Sequence, residues 1–240
     1  MGGRGGRSHD GGGGGQQSGY AQFAAVNRLA QQMGIYLNLN SLSQNNINPM
    51  YVDETLRGVQ YIYTHFPVMA GRVQYIDANV GSANAYASAG GDGGLHMGLY
   101  GRMTPQELAR QWSWDVRSGF HPQGTQPSGI FVHEMGHQIE AYLNQRDYNN
   151  AWSWGKSSSD IVLQAAKRID PSITDLNDPK VYQMASDISR YAVDRRNTGR
   201  YPWAVWETVA EAVQDYSSNN TNAKPLSVAI WEELKRRTRR

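Results

Sequence analysis

The segment His133-Glu134-Met135-Gly136-His137 sets two imidazoles four residues apart with a carboxylate between them. On an α-helix, positions i and i+4 lie about 40° apart round the axis, so both rings leave one face a turn apart and can grip one metal ion. Glu134, rotated by about 100° from His133, is placed to reach a water on that ion rather than to ligate it. That division of labour is the one metal-assisted hydrolysis needs, with a carboxylate as general base. The flanking Ile130, Phe131, Val132, Met135, Ile139 and Leu143 predict a buried helix. Two histidines on a buried face need partners if no ion is there. A chance match to this spacing, at average usage, is on the order of one in a hundred for a chain of this length. The chain has no cysteine, so thiolate metal sites, disulfides and cysteine nucleophiles are excluded.

Catalytic zinc takes three protein ligands and keeps a fourth position open, so two histidines are one ligand short. The stretch Trp203–Tyr216 supplies candidates: Glu207, Glu211 and Asp215 fall at i, i+4 and i+8 on one helical face. Like charges at that spacing cost a few tenths of a kcal/mol per pair, about 0.2–0.5. Apolar Trp206, Val209, Ala210 and Val213 surround them, so a cation with two histidines is a better remedy than solvent. Spacing alone leaves Glu207 and Glu211 both open as the third ligand. Of the other histidines, His121 sits beside Pro122 in a Gly-rich loop, where it either faces the cleft and binds substrate or is an ordinary loop residue. His96 alternates with Leu95 and Met97 as an exposed strand position, and His65 ends a helix whose dipole suits a positive charge.

At these residues the chain resembles the zincin metallopeptidases whose third ligand is a glutamate. The metzincin pattern needs glycine at position 140 and histidine at 143, where this chain has Glu140 and Leu143. In the thermolysin-like branch the ligand Glu is followed four residues later by an Asp that holds the first histidine, which Glu211 and Asp215 match. Lethal-factor-type peptidases, and related domains of phage structural proteins and toxins, carry ExxAEA, which Glu207-Thr-Val-Ala-Glu211-Ala matches throughout. Ile188-Ser-Arg-Tyr191-Ala resembles the Ser-x-Tyr element that precedes their ligand, and Gly119-Phe-His-Pro-Gln-Gly-Thr125 is similar to the phage-associated members.

The resemblance spans roughly 90–240 and implies Zn2+ held by His133, His137 and Glu207. Glu211 then supports a ligand histidine or serves as the alternative ligand. Glu134 is the implied general base and Tyr191 the catalytic tyrosine, with Tyr201 as its rival. An edge strand beside the active-site helix holds an extended peptide, and Leu95, His96, Met97 and Gly98 are the expected strand. The expected function is a zinc metalloendopeptidase acting on peptide or protein. The alternative is a structural, phage particle-associated protein that keeps a zincin fold with little or no peptidase activity.

These side chains need elements to hold them. Phe23, Val26, Leu29 and Ala30 recur at helical spacing up to Gly34, and Val52, Leu56 and Val59 do so over about 51–65. The period then shortens, with strand candidates at Arg72–Asp77, Ala85–Ala89 and Leu95–Tyr100. Thr104-Pro-Gln-Glu107 has the make-up of a capping box, and everything after Gln126 reads as helices. The fold class is α+β: a zincin-like single domain over 21–234, with a short mixed sheet, an antiparallel edge strand on the His133–His137 helix and a mainly helical C-terminal half. Residues 1–20, which hold ten of the 26 glycines, predict a disordered head, and 235–240 a basic tail. Without both ends, sixteen basic residues face twenty acidic ones, so the body does not read as a nucleic-acid binder. No apolar run approaches the ~18 residues of a membrane span, and no signal-peptide pattern opens the chain, so cytoplasm or a virion is the expected location.

Overall fold

The computed structural model describes residues 20–81, 86–195 and 201–239. Residues 1–19, with His9 and nearly all of the Gly-rich head, lie outside them, as does Ala85. Among the described residues no helix is long and apolar enough to cross a membrane.

The chain begins with α1 (Ala24–Gln32), a two-residue strand β1 (Tyr36–Leu37), α2 (Leu39–Gln44) and the long α3 (Pro49–His65). Asn48 caps α3 by accepting from the Met50 N–H, and Pro49 opens its first turn, where a missing N–H costs nothing. Then come β2 (Tyr75–Ala78), β3 (Ala87–Ala89) and β4 (Gly94–Met97), followed by α4 (Pro105–Arg117). The Thr104–Glu107 capping box forms in full: the Glu107 N–H donates to Thr104 Oγ1 and the Thr104 N–H to the Glu107 carboxylate. The rest is helical: α5 (Gly129–Tyr148), α6 (Lys156–Ile169), α7 (Pro179–Ser186), α8 (Val205–Asn219) and α9 (Pro225–Thr238). The molecule is thus α+β, with one small mixed sheet.

The sheet runs β1-β2-β4-β3. β1, β2 and β4 are parallel, and β3 alone is antiparallel, pairing Ala87 with Met97 and Ala89 with Leu95. This corrects the expectation for Leu95–Gly98. β4 is hydrogen-bonded on both sides, so its backbone cannot accept a further strand, and the edges are β1 and β3. The strand also stops at Met97, and Leu99–Arg102 turn into a 3-10 helix. His96 is a partly buried ligand of its neighbour strand: its Nδ1 lies 2.6 Å from the Asp77 carboxylate.

α5 is buried on nearly every side up to Asn144, polar residues included, and it is the central helix, packed between α3, β3 and α8. Two glycines allow these close approaches. A Cβ on Gly58 of α3 would fall 2.8 Å from Phe131 Cβ, and one on Gly136 of α5 would fall 2.8 Å from Ala210 Cα of α8. Lys235, Arg236 and Arg237, expected in a tail, continue α9 to Thr238. The reason is Glu233, whose fully buried carboxylate accepts from Arg236 Nε at 2.9 Å and Arg237 Nε at 2.7 Å and also pairs with Arg168 of α6.

Candidate metal centre

α5 and α8 cross where Gly136 meets Ala210, and that contact sets the ligand side chains opposite each other. His133 and His137 project from α5 one turn apart, and Glu207 comes from the first turn of α8. Glu207 Oε2 lies 3.3 Å from Nε2 of each histidine, and the three atoms all fall within 4.8 Å of one another. Buried Oε2 has no hydrogen-bond partner. Ligand atoms about 2.0–2.1 Å from a tetrahedral ion stand about 3.3–3.4 Å apart. Both Oε2–Nε2 distances match that spacing, and the group can hold a metal ion.

Behind the ligands lies a second carboxylate. Glu211, fully buried, sets Oε1 2.8 Å from His133 Nδ1 and 3.3 Å from His121 Nδ1, while Oε2 accepts from Ser189 Oγ at 2.7 Å. A carboxylate on the far nitrogen fixes the ring and leaves Nε2 free to ligate. Asp215 does no such thing. Its two oxygens accept from Asn219 Nδ2 at 2.8 Å and the Lys224 N–H at 2.9 Å, tying the end of α8 to the start of α9. Of the acids spaced i, i+4 and i+8, the first meets both histidines, the second braces one, and the third serves the backbone.

His121 does not face the cleft. It is 2% exposed, stacked on Trp112 at 4.4 Å and 12°, and turned inward to Glu211. Tyr191 and Tyr201 part company as well. Tyr191 lines the cleft with its ring 5.7 Å from that of His133, on a 3-10 turn pinned by the Ala192 N–H donating to Ser189 Oγ. Tyr201 packs against Gly155, whose φ of +85° and lack of a side chain make the space, and it does not line the cleft.

Charge and burial fix where the protons sit in the metal-free chain. Burial pushes the Glu134 carboxyl above its ordinary range, against the opposing pull of His133 and His137. Burial alone would raise Glu207 and Glu211 too. The two ligand histidines nevertheless hold Glu207 well below the usual carboxylate range, and His121 with His133 holds Glu211 down to about 2. His133 moves reciprocally: burial would lower it, and Glu207 and Glu211 overcome that. Burial and the carboxylates of Glu207 and Glu134 push the Tyr191 hydroxyl up, so it stays a proton donor.

The cleft over this group has a volume of about 330 Å³. Its walls include residues that the sequence did not mark as part of the site: Ala87, Ser88 and Ala89 of β3, together with Trp152, Trp154 and Trp206. The Ala89 N–H faces the Glu134 carboxylate. A Trp-x-Trp pair just after the metal helix, and a Trp adjoining Glu207, were the available signals.

Comparison with protein-family models, with curated proteins and with solved structures gives no match for this chain.

Proposed function

We propose that the protein is a zinc-dependent metalloendopeptidase of zincin-like architecture. The observation that carries this reading is the convergence of His133 Nε2, His137 Nε2 and Glu207 Oε2 beneath an open cleft that also holds Glu134. Two imidazoles and one carboxylate are a donor set for zinc, and a site that keeps an open side is of the catalytic rather than the structural kind. Zinc there supplies Lewis-acid activation of a water and of the scissile carbonyl.

The chain's own residues supply the rest. Glu134, with its raised pKa, takes the proton from the attacking water and delivers it to the leaving amine. Tyr191, held protonated, donates a hydrogen bond to the oxygen that gains charge. β3 offers the edge for substrate. Gly90 N–H bonds to Gly94 O and Gly98 N–H to Tyr86 O, so by alternation Ala87 and Ala89 turn their main-chain groups away from β4. An extended peptide can pair with the main-chain groups of Ala87 and the Ala89 carbonyl as an added strand, the Ala89 N–H being turned to Glu134.

The alternative, a particle-bound structural protein with an idle site, leaves Glu134 only its bond to the Ala89 N–H and has no use for the open side. Elemental analysis with peptide turnover tests the proposal. Wild type should carry one zinc per chain, His137→Ala and Glu207→Ala should lose it, and Glu134→Gln should keep zinc while turnover drops about 10²–10⁴-fold. A folded, zinc-loaded Glu134→Gln with full activity would sink the mechanism.

A further inference from the structure

The cleft has an aromatic end wall that neither metal binding nor proton transfer requires. α5 ends at Asn149, which takes the left-handed conformation at φ 53°, and the chain re-enters a helix at Lys156. The six residues between carry Trp152 and Trp154, 6.3 Å apart and edge to face. Trp154 stands 5.9 Å from His137, and Trp152 rests on Gly91 so closely that a Cβ there would lie 3.0 Å from the indole. Trp152 is still 57% exposed.

This loop is not slack. The Ala151 N–H donates to Gln145 Oε1, the Trp152 N–H to Asn150 Oδ1, and the Gly155 N–H to Glu140 Oε1 at 2.8 Å. The Ser157 N–H donates to Asn144 Oδ1 just beyond. Glu140, Asn144 and Gln145 belong to the metal helix itself, so the two indoles are held in register with His137. Trp152 stands in water on a loop whose backbone is hydrogen-bonded to the metal helix and with its ring against Gly91, a preorganised contact surface, since much of the ordering entropy is already spent on folding.

Its polarity follows from β3. The wall stands at the Gly90–Gly91 end of that strand, beyond Ala89. Antiparallel pairing, the more stable kind, lays the N-terminal half of a peptide over that end. Gln145, Asn150 and Glu140 accept from the loop backbone, and the exposed indole of Trp152 offers an apolar face suited to a side chain. On the metalloendopeptidase reading, we propose that Trp152 and Trp154 form a subsite that selects an aromatic side chain on the substrate, N-terminal to the bond cleaved.

The test uses zinc-loaded full-length protein and short peptides that differ only in Phe or Ala at each position around the scissile bond. Wild type should favour Phe on the N-terminal side by about tenfold in kcat/KM, the size of a good aromatic pair. Trp152→Ala and Trp154→Ala should cut the ratio to about threefold or less, and Trp152→Phe should restore most of it. A ratio unchanged in both alanine variants, or a preference on the C-terminal side only, overturns the proposal while leaving the peptidase intact. Calorimetry on zinc-loaded Glu134→Gln gives a readout that needs no turnover. The Phe peptide should bind more tightly than the Ala peptide, and adding Trp152→Ala should erase the difference. Equal binding overturns the subsite, as does tighter binding of a chito-oligosaccharide than of either peptide. A Phe advantage in binding with no hydrolysis by wild type refutes the peptidase reading and leaves the subsite standing.

Discussion

Glu211 has no exposed surface and still keeps its charge, because two histidines and a serine hydroxyl face its oxygens. That arrangement has a pH signature in metal-free protein. Its carboxyl sits at about 2 when folded against an ordinary 4.5, so its contribution to stability is full above about pH 4.5 and disappears as pH falls toward 2. Thermal melts in chelator should therefore show wild type losing stability between pH 5 and 2.5 more steeply than Glu211→Gln; parallel curves would rule Glu211 out as the acid-labile group. The same residues show what a sequence can disclose at this scale. The spacing of His133 and His137 dictates a shared face wherever a helix forms. Glu207 and Glu211 share a face too, and only the depth at which α8 crosses α5 decides which one meets the imidazole Nε2 atoms. Gly136 marks a close approach, but not which residue of α8 it meets. His121 was equally opaque: its neighbours Gly119 and Pro122 mark a loop, whereas its burial comes from Trp112 and Glu211, remote in sequence.

Between elements the decisive contact is backbone to backbone. Gly136 lies inside the pentapeptide of the candidate metal site but contributes no chemistry; it lets α5 come within reach of Ala210 on α8. Gly136→Ala should raise intrinsic helix propensity by about 1 kcal/mol and yet destabilise the protein, since overpacking of this kind costs about 1–3 kcal/mol. Separating the helices also separates Glu207 from the histidines, so zinc affinity should fall at least about tenfold. Urea titration and competition with a chromophoric chelator read the two effects, and an alanine variant with undiminished zinc affinity would show that the crossing distance is not critical. Helix starts were legible because capping chemistry is local, as at Thr104. Strand order was not. Leu95–Met97 has the stronger apolar pattern because it is the buried central strand, and Ala87-Ser-Ala is weakly patterned because it is an edge.

At the scale of the whole molecule, Arg236 and Arg237 of the C-terminal basic run are structural. Glu233 draws Arg168, Arg236 and Arg237 round one buried carboxylate, and Arg237 also reaches Asp160 of α6. A chain ending at Leu234 leaves that carboxylate with Arg168 alone, and breaking a buried ion group costs about 3 kcal/mol or more. Chemical denaturation should show a loss of that order, while removal of Arg239 and Arg240 alone should change little. Composition could show the charge run but not the buried acid it answers, because Glu233 looks like any helical glutamate.

The metal group also has a timetable. Glu207 is translated 70 residues after His137. At the usual ~5–20 residues per second, the histidines wait several seconds on the ribosome before their third partner exists. α6, α7 and the turn bearing Tyr191 are made in that interval. On the metalloendopeptidase reading, a chain stalled anywhere within it holds His133, Glu134 and His137 but lacks the third ligand of the proposed site, so peptide cleavage must wait until α8 has been made.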